Sequence, residues 1–164
     1  AVTGRSTVTL FGGEGTSGEI YGDLWEASGD QAGPYPPVWT DLGTAARGPP
    51  LARKESAAAG LLTRLVLFGG RGAEYLLDDC FVLDTITRRW TDLTEFSTGP
   101  SPSARRLHAM AGVGSATAYL FGGLTVLGEA SAELFRVDIG KEPALWQDLT
   151  PAASGAARPS ARYG

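Results

Sequence analysis

The sequence contains no asparagine and only one cysteine, one histidine and one methionine among its 164 residues. Without asparagine there is no N-glycosylation sequon, and Cys80 alone cannot form an intrachain disulfide. This cysteine usage is compatible with a reducing compartment and favours a cytoplasmic location. The 14 Lys and Arg residues are scattered and outnumbered by 18 Asp and Glu, so no nucleic-acid partner is predicted.

The apolar residues show no helical periodicity, and 23 glycines and 10 prolines interrupt the apolar segments throughout the chain. Residues 107–128 form a long stretch without formal charge, but they are rich in glycine and alanine. We interpret them as two buried strands joined by a turn, and we expect no membrane partner. With 43% hydrophobic and 20% charged residues, the composition predicts a folded all-β domain with a hydrophobic core.

Four sequence landmarks recur three times in the same order, which predicts an internal repeat. The first is Phe-Gly-Gly, with spacings of 57 and 53, at Phe11-Gly12-Gly13, Phe68-Gly69-Gly70 and Phe121-Gly122-Gly123. The second is an acid-x-aromatic triplet, at Asp23-Leu24-Trp25, Asp79-Cys80-Phe81 and Glu133-Leu134-Phe135. The third is a Trp followed by Asp-Leu, at Trp39, Trp90 and Trp146. The fourth is Pro-x-Ala-Arg, which ends at Arg53, Arg105 and Arg162.

Each repeat also contains four short segments that predict strands, which we name a to d in chain order. Strand a is built of small residues such as 56–59, and strand b is the apolar run that ends in Phe-Gly-Gly. Strand c carries the acid-x-aromatic triplet, and strand d carries the Trp. Four strands in a period near 50 are typical of a propeller blade, so we predict a partial β-propeller of three four-stranded blades.

These landmarks resemble the kelch repeat of the galactose oxidase central-domain-like superfamily, and the resemblance covers essentially the whole chain. Two features depart from it. The strand-c aromatic is Trp or Phe where Tyr is common, and Arg-x-x-His is complete only at Arg105 and His108. The glycine pairs let the backbone turn and neighbours approach closely, and the Trp fills the wedge between blades. We therefore expect structural roles for Gly12, Gly13, Gly69, Gly70, Gly122, Gly123, Trp39, Trp90, Trp146, Arg53, Arg105 and Arg162.

The repeats divide the chain into a first blade with an incomplete strand a, two further blades and a lead-in to another, at 1–49, 50–101, 102–156 and 157–164. Two explanations remain open. The chain is a piece of a ring of about 6–7 blades, which we favour, or two copies form one six-bladed ring. Three blades alone would leave two open faces, which predicts self-association through the open edges.

The residues and motifs that could serve in catalysis, metal binding or phosphate binding all have structural explanations. His108 is the only histidine and stands at a repeat landmark, so we interpret it as a structural residue. Cys80 lies inside a predicted strand and is interpreted as a buried, inert thiol. The stretch 13–18 fits G-x-G-x-x-G but opens no helix, so it offers no phosphate cradle. The sequence predicts no catalytic residue, metal or cofactor.

Alternating strand directions would place the b–c and d–a loops on one face of the propeller. These loops are long, and long loops on a rigid scaffold are where binding residues usually lie. The kelch resemblance implies that this face binds another protein or a peptide. Our candidate contacts are Arg47, Arg71, Glu74, Tyr75, Leu124 and Val126. The first c–d loop, Gly29 to Pro37 with Tyr35, belongs to the opposite face and is interpreted as an insertion.

One alternative from a different class stays open. The chain could be the propeller scaffold of a larger oxidase- or hydrolase-like enzyme whose catalytic residues lie outside this segment. Galactose oxidase resembles it in its propeller repeats, but its copper site requires two histidines and a Tyr cross-linked to Cys. With one histidine and one cysteine, this segment cannot carry that site alone.

Overall fold

The computed structural model describes residues 7–28, 37–43, 45–150 and 159–164, together with the backbone of residues 2–3. The described strands are, in chain order, β1 (Val2–Thr3), β2 (Thr7–Glu14), β3 (Ile20–Ser28), β4 (Val38–Asp41), β5 (Ala57–Leu61), β6 (Arg64–Arg71), β7 (Leu76–Asp84), β8 (Arg89–Asp92), β9 (Ser97–Thr98), β10 (Arg105–Arg106), β11 (Ala109–Val113), β12 (Thr117–Phe121), β13 (Leu124–Thr125), β14 (Leu134–Asp138) and β15 (Ala144–Asp148). The described ranges contain no helix that could cross a membrane.

Three antiparallel sheets confirm the predicted blades. Their strand orders are β1-β2-β3-β4, β5-β6-β7-β8 and β11-β12-β14-β15, so each blade is a meander of strands a to d. The inner strands β5 and β11 of neighbouring blades lie against each other. Strands β10 and β13 form a separate short pair. The chain is therefore a partial β-propeller of three blades.

The hydrophobic core lies between the blades, in two layers of the same kind. In the first layer, Leu24 and Leu42 of blade 1 contact the blade 2 residues Leu65, Leu67 and Trp90. The second layer joins the other side of blade 2 to blade 3, and its members include Val66, Phe68, Cys80, Val82, Leu120, Phe135, Val137 and Trp146. Both faces of blade 2 are covered, which explains why its strand b is a continuous apolar run.

An aromatic pair repeats at both blade junctions. Phe11 of blade 1 packs on Trp90 of blade 2, with ring centroids 5.2 Å apart. Phe68 of blade 2 packs on Trp146 of blade 3 at 5.5 Å. Trp90 and Trp146 are 3% and 1% exposed, as the wedge-filling role predicts, whereas Trp39 is 50% exposed. Trp39 differs because its side of blade 1 faces no other blade among the described residues.

The sequence suggested that each glycine pair ends strand b. In the first two blades, strand b instead extends beyond the pair. Strands β2 and β6 continue through the pair with a bulge, between Phe11 and Gly13 and between Phe68 and Gly70. The first glycine of each pair has positive φ, at 65°, 56° and 72° for Gly12, Gly69 and Gly122. A Cβ there would lie 2.5, 2.8 and 2.5 Å from the carbonyl oxygens of Arg53, Arg105 and Arg162. Only glycine permits this approach between successive repeats.

The connections between blades also protect the outer sheet edges. The amide of Arg47 donates to the Arg88 carbonyl, and the Arg47 carbonyl accepts from the amide of Trp90 on β8. Arg47 pairs with Arg89 in parallel, and strand β9 pairs in parallel with β15 of the third blade. Strand β9 itself lies within residues 50–101, the range predicted for the second blade. Because exposed edge strands invite pairing with other chains, these connections limit edge-to-edge association.

The turn between β5 and β6 carries a conformational cost that a substitution would remove. Leu62 has φ of 42° and is mostly exposed, so its side chain gains little from packing in this left-handed region. We expect Leu62→Gly to raise the free energy of unfolding by about 0.5–1 kcal/mol in urea titrations. Thr63→Gly in the same turn is the control and should lower it, because the φ of Thr63 is not positive. If the backbone at Leu62 were unstrained, both substitutions would lower the free energy of unfolding.

Two predicted features lie outside the described residues. The insertion at Gly29 to Pro37 falls there except for Pro37, so the placement of Tyr35 stays a prediction. Most of the loop that follows strand d of the third blade also falls there, since residues 151–158 are not described. Residues 159–164 of the predicted lead-in are described, and the Arg162 carbonyl accepts from the Gly123 amide at 3.0 Å, as the Arg53 carbonyl accepts from the Gly13 amide at 2.9 Å.

Candidate functional site

The landmark arginines join successive blades. The Arg53 amide donates to the Tyr21 carbonyl of blade 1, and the Arg53 carbonyl accepts from Gly13 at 2.9 Å. Its fully buried side chain reaches blade 2 instead, where the guanidinium donates to the Gly69 carbonyl and to both oxygens of Asp79. One residue therefore holds one blade by its backbone and the next by its side chain.

The side chain of Arg105 repeats the side-chain part of this arrangement, on blade 3. Its buried guanidinium donates to the Gly122 carbonyl at 3.1 Å and to Glu133 at 2.7 Å. It also lies over the ring of Phe135, at 5.4 Å, as Arg53 lies over Phe81 at 5.6 Å. The acid-x-aromatic triplet thus supplies two contacts of the arginine, the carboxylate and the aromatic face, and the glycine pair supplies the carbonyl.

These junctions fix the lead-ins to strand a on the face that carries the b–c and d–a loops, which we call the loop face. Two ion pairs cross blade boundaries there, between Lys54 and Glu14 and between Arg106 and Glu55, the second at 2.8 Å. Lys54 and Arg106 each follow a landmark arginine. Each also pairs through its backbone with a b–c loop, Lys54 with Arg71 and Arg106 with Leu124. The loop face is therefore held together by ion pairs between blades and by backbone pairing between lead-ins and b–c loops.

Four of the six predicted contact residues line one hollow on this face. The loop-face hollow has a volume of about 250 Å³ and is lined by Arg71, Glu74, Tyr75, Leu76, Arg106, Thr125, Val126 and Gly128. Leu124 does not line it but pairs with Arg106 beside it. Tyr75 and Val126 are mostly exposed, so apolar surface stands at its rim between charges of both signs.

Arg47 lies apart from this hollow, on the outer edge of β8 near the turn between β7 and β8. Sequence reasoning also missed Arg106, Thr125 and Leu76. Arg106 follows a landmark arginine, as Lys54 does, and both form ion pairs across a blade boundary, so its position in the repeat was a usable signal. Thr125 carried no comparable signal.

A larger groove of about 820 Å³ lies between blades 2 and 3, away from the predicted contacts. Its lining includes Arg64, Asp84, Phe96 and Lys141, mostly from turns and connections. The sequence did not indicate this groove, because its lining comes from separate segments between residues 63 and 144 and, apart from Thr91 and Leu93, lies outside the repeat landmarks.

The single histidine and the single cysteine are both buried. His108 lies edge-on to Phe68, at 5.7 Å, in the junction between blades 2 and 3. Burial, helped by the charge of Arg105, lowers the pKa of His108 from 6.5 to about 4. Burial likewise raises the pKa of the Cys80 thiol to about 12, with a smaller effect from the charge of Asp79. Cys80 is therefore protonated and unreactive at neutral pH.

The lowered pKa of His108 predicts acid sensitivity of the blade junction. Between pH 6.5 and 4 the unfolded chain binds this proton and the folded chain does not, so stability is complete above pH 6.5 and falls as pH drops through this window. The pKa difference corresponds to about 3 kcal/mol. We expect His108→Gln to show a flatter pH profile of unfolding free energy by urea titration. Parallel profiles for the two proteins would contradict this assignment.

Comparison with known proteins agrees with the geometry. The family model described as "KLHDC2/KLHL20/DRC7 Kelch-repeats domain" matches residues 1–164. This chain belongs to the kelch-repeat family. The solved structure of YjhT superposes on the kelch chain with a TM-score of 0.67 and 14% identity, over 99% of this chain and 52% of that one. That likeness supports the propeller fold alone.

Curated relatives match most of the chain at low identity. Adagio-like protein 3 of Oryza sativa subsp. japonica is 30% identical over 142 residues, which are 87% of this chain and 22% of that protein. Adagio protein 3 of Arabidopsis thaliana is 30% identical over 88% of this chain and 23% of its own length. The flagellar outer arm dynein alpha chain of Chlamydomonas reinhardtii is 28% identical over 89% and 3%. The kelch chain therefore spans less than a quarter of these relatives.

Within the described ranges, no group of three or more His, Cys, Asp or Glu side chains is placed to hold a metal ion. The kelch chain is a repeat scaffold, as the sequence predicts. The interpretation as part of an enzyme, with catalytic residues outside this segment, stays a prediction.

Proposed function

We propose that this chain is a protein-interaction scaffold that binds a protein or peptide through its loop face. The observation that carries the proposal is the convergence of Arg71, Glu74, Tyr75 and Val126 on one hollow. Membership of the kelch-repeat family and the likeness to the Adagio proteins support an interaction scaffold.

The chemistry of the hollow favours a protein partner. Tyrosine and arginine are enriched among the residues that dominate binding energy, and Tyr75 and Arg71 stand exposed at the rim. A volume of about 250 Å³ is small for a whole drug-sized ligand. It suits one or two side chains of a larger partner that rests on the surrounding loops. The ion pairs and backbone pairings of the lead-ins keep this surface pre-organised, which lowers the entropic cost of binding.

A peptide library displayed on phage and selected on the purified chain tests the proposal. The affinity of the enriched peptides is then measured for the wild type and for Arg71→Ala/Tyr75→Ala. We expect at least a tenfold loss in the double variant, about 1.4 kcal/mol. The matched control is Leu62→Ala/Ile86→Ala, which alters two exposed turn residues at the opposite ends of the strands. Peptides that bind the loop-face variant as tightly as the wild type would contradict the proposal.

A further inference from the structure

The groove of about 820 Å³ between blades 2 and 3, which we call the interblade groove, has the size of a binding site. Its three buried lining residues, Val82, Ile139 and Ala144, are all apolar, and the first two belong to the core layer that joins these blades. Both walls come from blades with four described strands. The groove shares no lining residue with the loop-face hollow, so it is a separate surface.

An exposed aromatic ring that the fold does not require stands at this groove. The connections that follow blades 1 and 2 have the same Leu-x5-Gly-Pro spacing, from Leu42 and from Leu93. The amide of Ala45 donates to the Leu42 carbonyl at 2.9 Å, and the amide of Phe96 donates to the Leu93 carbonyl at 3.1 Å. Phe96 therefore occupies the place of Ala45 in the same turn, yet it is 70% exposed. Because aromatic residues are enriched in interfaces, Phe96 marks a contact surface.

The charges around the groove have a negative surplus. Arg64 and Asp84 lie opposite each other on β6 and β7, so their charges offset each other. The other charged lining residues, Glu95, Lys141 and Glu142, are exposed and form no ion pair within the ranges that the structure describes. Two carboxylates against one ammonium group favour a cationic group on the partner.

Backbone groups at the groove favour an extended peptide as the occupant. Strand β9 is the edge strand of its five-stranded sheet, and both of its residues, Ser97 and Thr98, line the groove. An extended peptide can pair with such an edge while alternate side chains enter the pockets beside it.

We propose that the interblade groove binds an extended peptide segment of a partner protein. An apolar side chain of the peptide contacts Val82 and Ile139. A Lys or Arg side chain two positions away lies between Glu95 and Glu142, against the ring of Phe96. The inference does not rest on the proposed function of the loop face, and the two surfaces could bind different segments at the same time.

A random peptide library displayed on phage and selected on Arg71→Ala/Tyr75→Ala tests the proposal, because this variant disfavours peptides that bind the loop-face hollow. We expect the enriched peptides to contain Lys or Arg two positions from an apolar residue. Their affinity, measured by isothermal titration calorimetry, should fall at least tenfold in Glu95→Lys/Phe96→Ala relative to the wild type. Both residues are exposed, so this variant should stay folded, which circular dichroism verifies.

The matched control is Glu74→Lys/Tyr75→Ala, which makes the same two kinds of change in the loop-face hollow and should leave the affinity of these peptides unchanged. Amide chemical-shift changes should include Ser97, Thr98 and Lys141. Failure to enrich any peptide, enriched peptides without basic residues, or equal affinity for Glu95→Lys/Phe96→Ala and the wild type would each overturn the proposal. The loop-face proposal is judged separately, on peptides selected with the wild type.

Discussion

Replacement of Arg53 by alanine is expected to lower the free energy of unfolding by about 3–5 kcal/mol. The guanidinium is fully buried and donates to the Gly69 carbonyl and to both carboxylate oxygens of Asp79. Arg53→Ala leaves the Asp79 carboxylate and a buried carbonyl without their partner, and it opens a cavity between two blades. Urea titration followed by circular dichroism measures the loss.

Two further variants show whether the pair geometry or the charge matters. Arg53→Lys keeps the charge but loses the planar fork, so it should recover less than half of the stability lost. Arg53→Met with Asp79→Leu removes both charges and should be far more stable than Arg53→Ala. Arg71→Ala, at an exposed position, is the control and should change stability by less than about 0.5 kcal/mol. A similar small effect of Arg53→Ala would contradict the junction as described.

Replacement of Trp90 by alanine should destabilise the chain by about 3–5 kcal/mol and unfold the middle blade. The indole is 3% exposed and packs between Phe11 of blade 1 and Phe81 of its own blade, with centroids at 5.2 and 6.4 Å. Its loss would open the core layer that joins blades 1 and 2. Thermal unfolding measured by near-ultraviolet circular dichroism reports the change.

The control for this prediction is Phe96→Ala, because Phe96 is an aromatic residue that is mostly exposed. We expect it to lower stability by less than about 0.5 kcal/mol. If Trp90→Ala melted with the cooperativity and midpoint of the wild type, the tryptophan would not be the core residue that the structure shows.

Much of the fold could be predicted from the sequence, because each repeat landmark performs a local task that depends on its neighbours in the chain. The glycine pair marks the end of the apolar run in strand b, and Trp90 marks strand d. The exposure of Trp39 could not be predicted, since it depends on which blade lies beside blade 1. The ion pair of Arg53 with Asp79 was also missed, because it joins residues 26 positions apart that only the blade geometry brings together.

The candidate site was predicted in part for a similar reason. Arg71, Glu74, Tyr75 and Val126 come together because the topology places b–c loops on one face. Arg47 lies elsewhere because its connection continues along the outer edge of β8, a course that loop position alone does not reveal.

The central claim is that the repeats pack side by side through equivalent junctions, and nuclear Overhauser contacts between aromatic rings test it most directly. In a chain with selectively labelled Phe and Trp, we predict cross-peaks from Phe11 to the Trp90 indole and from Phe68 to the Trp146 indole, residues with centroids 5.2 and 5.5 Å apart. Absence of both cross-peaks in the folded protein, or contacts that join these rings in other pairs, would contradict the account.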